Sequence, residues 1–345
     1  MRVVAGALVL LFTACAAPEP ERRAFVFEGP TMGTVYQVKV ARRDLPESRR
    51  AELEAAIRRE LESVDAVMST YREDSELSRF NHHAETTPFP LSDATWEVLA
   101  TALEVSRLSG GALDVTVGPL VDAWGFGPGP EPAAPSAAEL AAILERVGYD
   151  KIELTGDPRA VRKTRADVRC DLSAVAKGYA VDRVAETLAA LGESDFMVEV
   201  GGEVRAAGRN DRGQVWRIGV ERPQMARGTV ARGTVQRIVP LGGAALATSG
   251  DYRNYREVDG ERISHLMDPR TGRPVGHRLA SVSVVHPRCA VADAWATALI
   301  VLGPDEGFEV AAREGLAVLF LVREDGGFHE LATPAFERDA TENHR

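Results

Sequence analysis

The chain has 345 residues, of which 45% are hydrophobic and 27% are charged, as expected for a globular protein of one large or two ordinary domains and not for a disordered or fibrous one. Its formal net charge of -10 and its pI near 5.4 argue against a protein that wraps nucleic acid, because phosphate contacts need clustered Lys and Arg. A polyanionic ligand must therefore be held locally, by a metal ion or by a few placed groups.

The amino terminus has the pattern of an exported lipoprotein. Met1-Arg2 precedes an apolar run, residues 3–12, which is too short to span a bilayer and predicts a secretory signal. Phe12-Thr13-Ala14-Cys15 resembles a lipobox, in which the cysteine is lipidated and becomes the first residue of the mature chain. The alternative is an ordinary signal peptide with a chance cysteine. The predicted segments are a signal peptide at residues 1–14 and a lipid-anchored Cys15 with a polar tether at residues 15–23.

The folded part of the chain is expected at residues 24–336, followed by a polar tail at residues 337–345. Strands are expected at residues 34–40, 197–200, 204–207, 215–220, 235–241 and 279–285, and on both sides of residues 325–327. Helices are expected after Pro46, from Ser92, from the capping box at Ser136, and at residues 177–191, 293–301 and 306–313. This irregular mixture favours an α+β fold, with mixed or antiparallel sheets flanked by helices, over a doubly wound sheet.

Polar clusters next to glycine stand at the predicted ends of these elements. The glycines of residues 125–129 do not form a dinucleotide-binding turn, because prolines follow where its helix would begin. The clusters lie at residues 68–81, 111–119, 171–179, 247–252, 265–272 and 293–298. Each has a structural explanation by itself, such as an exposed cap at a helix start for Asp293 or a tight turn after His265. Their occurrence together, in this order, indicates a functional site.

This ordered set of motifs, with Thr31-Met32-Gly33-Thr34 ahead of it, resembles the ApbE family of FAD:protein FMN transferases. The resemblance implies a magnesium ion held by Asp293, Thr297 and the backbone carbonyl of Ala174. Asp293 and Thr297 are four residues apart, which places both on one face of a helix, and hard oxygen ligands suit magnesium. The resemblance also implies FAD contacts from these residues: Met32, Tyr71, Ala112, Leu113, Asp114, Asp171, Lys177 and Met267.

The implied reaction is attack by a Thr or Ser hydroxyl of a target protein on the FMN-side phosphorus of FAD, with release of AMP. We predict that His265 is the general base, because histidine titrates near neutral pH. The family also suggests an acceptor in a membrane redox complex with a periplasmic Thr or Ser. The expected location is the periplasmic side of the bacterial inner membrane, with attachment through the lipid anchor.

Two other functions stay open at this point. One is a magnesium-dependent FAD pyrophosphatase, in which water replaces the protein hydroxyl and FMN and AMP are released. Tyr71 argues against it, because the similar hydrolytic branch carries a metal-binding Asn at that place. The other is a periplasmic flavin carrier without catalytic activity, which the intact set of metal ligands disfavours.

Two cysteines other than Cys15 flank the predicted metal site. Cys170 precedes Asp171, and Cys289 lies one helical turn before Asp293. An oxidising compartment permits a disulfide between them. We favour the alternative, two buried thiols that act as small apolar residues, since free cysteine is among the most buried residue types.

Overall fold

The computed structural model describes residues 21–126, 134–223, 234–251, 255–258, 261–325 and 327–342. Within these ranges, no helix is both long enough and apolar enough to cross a bilayer. The predicted signal peptide and Cys15 lie outside the described residues.

The described residues form helices and strands that alternate irregularly along the chain. The helices are α1 (Glu47–Met68), α2 (Glu76–His82), α3 (Asp93–Leu108), α4 (Gly118–Ala123), α5 (Ala137–Leu144), α6 (Ser173–Ala190), α7 (Cys289–Leu302), α8 (Pro304–Arg313) and α9 (Pro334–Glu342). The strands are β1 (Arg23–Thr31), β2 (Thr34–Arg42), β3 (Phe89–Pro90), β4 (Ile152–Gly156), β5 (Arg159–Lys163), β6 (Phe196–Val200), β7 (Glu203–Ala207), β8 (Trp216–Glu221), β9 (Val235–Leu241), β10 (Ala245–Gly250), β11 (Tyr255–Val258), β12 (Glu261–Ser264), β13 (Met267–Asp268), β14 (Arg273–Pro274), β15 (Leu279–His286), β16 (Ala317–Glu324) and β17 (Gly327–Ala332).

An eight-stranded sheet organises the described residues, in the order β1-β2-β6-β7-β10-β15-β16-β17. Every neighbouring pair in it is antiparallel. A three-stranded sheet has the order β3-β5-β4. Two-stranded sheets pair β8 with β9, β11 with β12, and β13 with β14. The expected α+β class with antiparallel sheets and flanking helices is therefore confirmed.

The two faces of the large sheet carry different partners because successive side chains of a strand point to opposite sides. On one face, Val198 and its neighbours pack against the apolar sides of α1, α3, α6 and α7 to form the main core. On the other face, Met197 and Val204 pack with Trp216 of β8 and with Phe336 of α9. A third cluster joins α4 and α5 to Met267. The site lies on the helical side.

Several predicted boundaries move. Helix α6 begins at Ser173, ahead of the expected residue 177, and α7 begins at Cys289, ahead of residue 293. Apart from Ser173, both early turns consist of small apolar residues, and the N-cap residues Leu172 and Arg288 make no side-chain cap hydrogen bond. Strand β1 begins at Arg23, inside the predicted tether, and α9 crosses the boundary that the sequence places after residue 336. The helix start at Ser92 and the capping box at Ser136 are confirmed.

Candidate functional site

A cavity of about 880 Å³ opens on the helical side of the sheet, beside the first turn of α6 and the middle of α7. It collects most of the residues that the sequence predicts for the site: Ala112, Leu113, Asp114, Asp171, Ala174, Lys177, His265, Met267, Asp293 and Thr297. Tyr71 is not among the lining residues and is 89% exposed in the turn after α1. Met32 is also outside the lining, half-buried in the β1–β2 turn with a positive φ of 45°. The cavity therefore unites the predicted metal ligands and His265 but not these two residues.

Helices α6 and α7 cross closely at Gly178. A Cβ atom at this position would lie 2.5 Å from the carbonyl oxygen of Cys289 and 2.8 Å from the Cβ of Asp293. Only glycine therefore fits at the crossing. The close approach brings Lys177 on α6 next to Asp293 on α7, and Ala174 lines the same cavity, although these residues are far apart in the sequence.

The start of α7 is held by a carboxylate from α6. Asp182 is 4% exposed, and it accepts hydrogen bonds from the backbone N–H groups of Cys289 at 2.9 Å and Ala290 at 3.0 Å. Arg205 on β7 donates to the same carboxylate at 2.7 Å. The first N–H groups of a helix need acceptors from outside it, and here Asp182 supplies them across the helix pair.

Asp293 is buried inside α7 and is not the exposed helix-start residue that the sequence predicts. Its side chain is 3% exposed because α7 starts one turn earlier and α6 covers it. The backbone N–H of Gly178 donates to Asp293 Oδ2 at 3.0 Å, and the Lys177 ammonium lies 3.7 Å from the same oxygen. Burial raises the pKa of Asp293 above its ordinary value, and the contacts with Lys177 and Gly178 act against that rise.

Thr297 follows Asp293 by one turn on the same face of α7, as the spacing predicts. Its hydroxyl lies 3.3 Å from the hydroxyl of Ser249 on β10. Both residues line the cavity. The cavity wall thus presents a carboxylate and two hydroxyl groups close together, which are hard oxygen donors.

Glu203 is a second buried carboxylate in the cavity, and sequence reasoning missed it. It is 4% exposed at the start of β7, and its Oε2 lies 2.9 Å from the Lys177 ammonium. Burial, and then the charge of Asp293, raise the pKa of Glu203 to about 7. Burial alone would lower the pKa of Lys177, but Asp293 and Glu203 outweigh it and the pKa is raised. The ammonium therefore stays charged at neutral pH.

The segments that carry Asp114 and Asp171 are tied to each other. The backbone N–H of Asp171 donates to the carbonyl of Val115 at 2.7 Å. Asp171 Oδ1 accepts from the N–H of Ser173 at 2.8 Å, at the start of α6. Asp114 is 5% exposed, and it accepts from the N–H of Thr116 at 2.8 Å and from its hydroxyl at 2.6 Å. Burial raises the pKa of Asp114.

His265 lies half-buried between β12 and β13 and lines the cavity. The ring of Phe126 meets its ring edge-on, with 6.3 Å between the ring centroids. Met267, two residues further, is 4% exposed and packs with Leu120 and Leu140. This packing anchors the segment that carries His265.

Cys170 and Cys289 are both free thiols, so the predicted alternative of a disulfide between them is wrong and the interpretation as buried thiols is confirmed. Cys170 is 2% exposed and Cys289 is fully buried. Burial raises the pKa of both thiols. Both backbones have structural partners: Asn81 pairs with Cys170 through hydrogen bonds of 2.8 and 2.7 Å, and Asp182 binds the N–H of Cys289.

Together, these features define an α+β protein with an acidic, oxygen-rich ligand cavity beside two crossed helices. The sequence model described as the ApbE family matches residues 32–320, and the chain therefore belongs to the ApbE family, as its motifs predict.

The relatives of the chain support the same assignment. A protein of Vibrio cholerae named FAD:protein FMN transferase is 43% identical over 337 residues, which covers 97% of each chain. The solved structure of a flavin transferase ApbE from Vibrio cholerae has a TM-score of 0.82 at 42% identity, and the match covers 92% of this chain and 99% of that one. The apo form of a flavinyl transferase ApbE from Pseudomonas stutzeri has a TM-score of 0.83 at 40% identity, with 93% and 98% of the two chains covered.

Proposed function

We propose that the chain is a magnesium-dependent transferase that moves the FMN half of FAD onto a Thr or Ser hydroxyl of an acceptor protein and releases AMP. One observation carries the proposal: the predicted metal ligands, His265 and most of the predicted FAD contacts line a single cavity, in a chain similar over nearly its whole length to proteins named FAD:protein FMN transferase. The cavity volume of about 880 Å³ falls within the usual range for ligand cavities, roughly 300 to 1,000 Å³.

The chemistry of the donor groups fits magnesium. Asp293, Thr297 and the Ala174 carbonyl would hold the ion, and water and substrate phosphate would complete its shell. In a regular helix the carbonyl of Ala174 accepts from the N–H of Gly178. That N–H donates to Asp293 Oδ2 at 3.0 Å, so the carbonyl shares its donor and keeps acceptor capacity for a cation.

Among the described residues, no cluster of three His, Cys, Asp or Glu side chains is arranged to hold a metal. Magnesium keeps several waters and usually takes only one or two carboxylates from the protein. When bound, the ion supplies positive charge to the diphosphate oxygens, which lowers repulsion of the nucleophile and stabilises the departing AMP.

The residues of the chain have distinct roles in the proposed reaction. Lys177 offers a permanent positive charge beside the diphosphate, in a protein that is otherwise acidic. His265 accepts the proton of the acceptor hydroxyl while the hydroxyl oxygen forms a bond to the FMN-side phosphorus. The bond from that phosphorus to the bridging oxygen breaks, and its electron pair leaves with AMP. Asp114 and Asp171 bind and orient FAD.

We further propose that Cys15 carries a lipid anchor and that the domain works at the periplasmic face of the inner membrane. The short apolar run and the lipobox-like Phe12-Thr13-Ala14-Cys15 support this. An anchored enzyme reaches acceptors on membrane proteins, and a redox complex subunit with a periplasmic Thr or Ser is the class we propose.

The test uses the purified protein with FAD, MgCl₂ and the periplasmic domain of a flavinylated membrane redox subunit as the acceptor. We expect flavin fluorescence on the acceptor band in a denaturing gel, with AMP in solution, and no label when EDTA is added or the acceptor Thr is changed to Val. Free FMN with AMP would instead identify a pyrophosphatase. FAD that stays intact and bound would identify a carrier.

A further inference from the structure

Glu203 reaches the cavity from a tight turn of the large sheet. Strands β6 and β7 are joined through Gly201 and Gly202, whose φ angles of 64° and 110° require glycine. Gly201 is also confined, since a Cβ there would lie 3.0 Å from Thr34 and 3.4 Å from the Lys177 side chain. The turn places Glu203 opposite Val200, on the face that α6 and α7 cover. The backbone therefore fixes the Glu203 carboxylate beneath Lys177.

The Lys177 ammonium lies within ion-pair distance of two buried carboxylates, those of Glu203 and Asp293. The Lys177 Nζ is 2.9 Å from Glu203 Oε2 and 3.7 Å from Asp293 Oδ2. The ammonium is the close polar contact that the structure gives Glu203 Oε2. With both carboxylates charged, the trio carries one net negative charge. The shorter distance shows that the ammonium is drawn toward Glu203 and away from Asp293.

We propose that Glu203 is a positioning residue that keeps the Lys177 ammonium off Asp293, so that the Asp293 carboxylate is available to a divalent cation. The inference rests on the proposed function, because that proposal makes Asp293 a magnesium ligand. Lys177 and a cation compete for the same oxygen, and like charges a few ångströms apart repel strongly in a poorly solvated site. Glu203 reduces this competition by holding the ammonium, which remains in the cavity for the phosphates of FAD.

A charge count gives the expected pattern for variants. Glu203→Gln makes the trio neutral and leaves Asp293 as the one charged partner of Lys177 within the described part of the chain, so cation binding weakens. Lys177→Met removes the competitor and leaves two carboxylates, so cation binding is at least as strong as in the wild type. The double variant has neither the competitor nor Glu203, and it keeps the net charge of the wild type.

The experiment measures the binding of Mg²⁺ alone by calorimetry, without FAD, to the wild type and these three variants. We expect Glu203→Gln to weaken Mg²⁺ binding by about tenfold or more, and the double variant to recover to within about threefold of the wild type. Glu199→Gln is the matched control, because Glu199 lies on the neighbouring strand β6 and outside the cavity lining. Its affinity for Mg²⁺ should be unchanged. Thermal unfolding without Mg²⁺ checks that every variant is folded.

An unchanged Mg²⁺ affinity in Glu203→Gln would overturn the inference. So would a double variant as weak as Glu203→Gln, because Glu203 would then act as a cation ligand or as a structural residue and not through Lys177. The proposed function is tested separately. If the variants follow this binding pattern but the wild type transfers no FMN, the proposed activity is rejected and the inference about Glu203 stands. If the wild type transfers FMN but the variants do not follow the binding pattern, only the inference about Glu203 is rejected.

Discussion

Replacing Gly178 by Ala sets two opposite effects against each other. In the interior of a helix, Ala is intrinsically more favourable than Gly by about 0.8–1 kcal/mol. At this position, however, the added Cβ would lie 2.5 Å from the Cys289 carbonyl oxygen, 2.7 Å from the Cys289 carbonyl carbon and 2.8 Å from the Asp293 Cβ. Optimal contacts between non-bonded carbons are about 3.5–4.0 Å. Helices α6 and α7 would therefore have to move apart by about 1 Å.

The cost of this movement exceeds the gain in helix propensity. Overpacking a core typically costs about 1–3 kcal/mol, and here two of the opposing atoms belong to the backbone, which cannot rotate away as a side chain does. Because the backbone atoms cannot yield, we use the upper part of that range, about 2–3 kcal/mol, and expect Gly178→Ala to lower the free energy of unfolding by about 1–2 kcal/mol after the propensity gain of about 1 kcal/mol is subtracted. We also expect transfer to fall by roughly 10²-fold, because a displacement near 1 Å separates the residues of α6 from Asp293.

Urea unfolding followed by circular dichroism measures the stability, and the FMN transfer assay at saturating FAD measures the rate. Gly118→Ala is the control, because a Cβ at that position meets no atom within 4 Å. It should leave the transfer rate unchanged and be at least as stable as the wild type. The reasoning would be refuted if Gly178→Ala were as stable as the wild type, since the close crossing of the two helices would then not depend on glycine.

Three further variants test the site and the anchor. Asp293→Ala should abolish magnesium-dependent transfer yet leave a folded protein by circular dichroism, because Lys177 keeps Glu203 as its partner; normal turnover with Mg²⁺ would reject the metal assignment. His265→Ala should slow transfer by roughly 10²-fold or more with nearly unchanged FAD affinity, as expected for a general base; normal turnover at saturating FAD with weaker binding would make His265 a ligand contact. Cys15→Ser should stay active but leave the membrane fraction, because anchor and domain are separate units; unchanged membrane fractionation would contradict the lipobox.

Local signals in the sequence predicted most of the regular structure. Residues at spacings of three and four on α1, such as Leu53, Ile57 and Leu61, are fully or almost fully buried, and the caps at Ser92 and Ser136 make the expected hydrogen bonds. The start of α7 could not be predicted this way. Its cap is Asp182, which lies 107 residues away from Cys289 in the chain, so no local pattern marks it.

The site could be predicted only in part, because contacts between distant segments leave no local pattern in the sequence. Motif order brought out most of the residues that line the cavity, including the cluster that contains Ser249, but it missed Glu203 and the tight crossing at Gly178. A usable signal existed for Glu203, since it directly follows Gly201-Gly202 in a turn between two predicted strands. Nothing in the sequence indicates that Lys177 is its partner, because the two residues meet only when α6 packs on the sheet.

The sequence by itself determined the α+β class, the amphipathic faces and the pairing of Asp293 with Thr297 on one helix face, because each depends on spacings of a few residues along the chain. Only the tertiary structure decided that Asp293 is buried and that Lys177 is shared between two carboxylates. It also decided that Cys170 and Cys289 remain separate thiols. These properties depend on distances between segments that packing brings together, and burial and charge sharing exist only once the helices and the sheet have excluded water from between them.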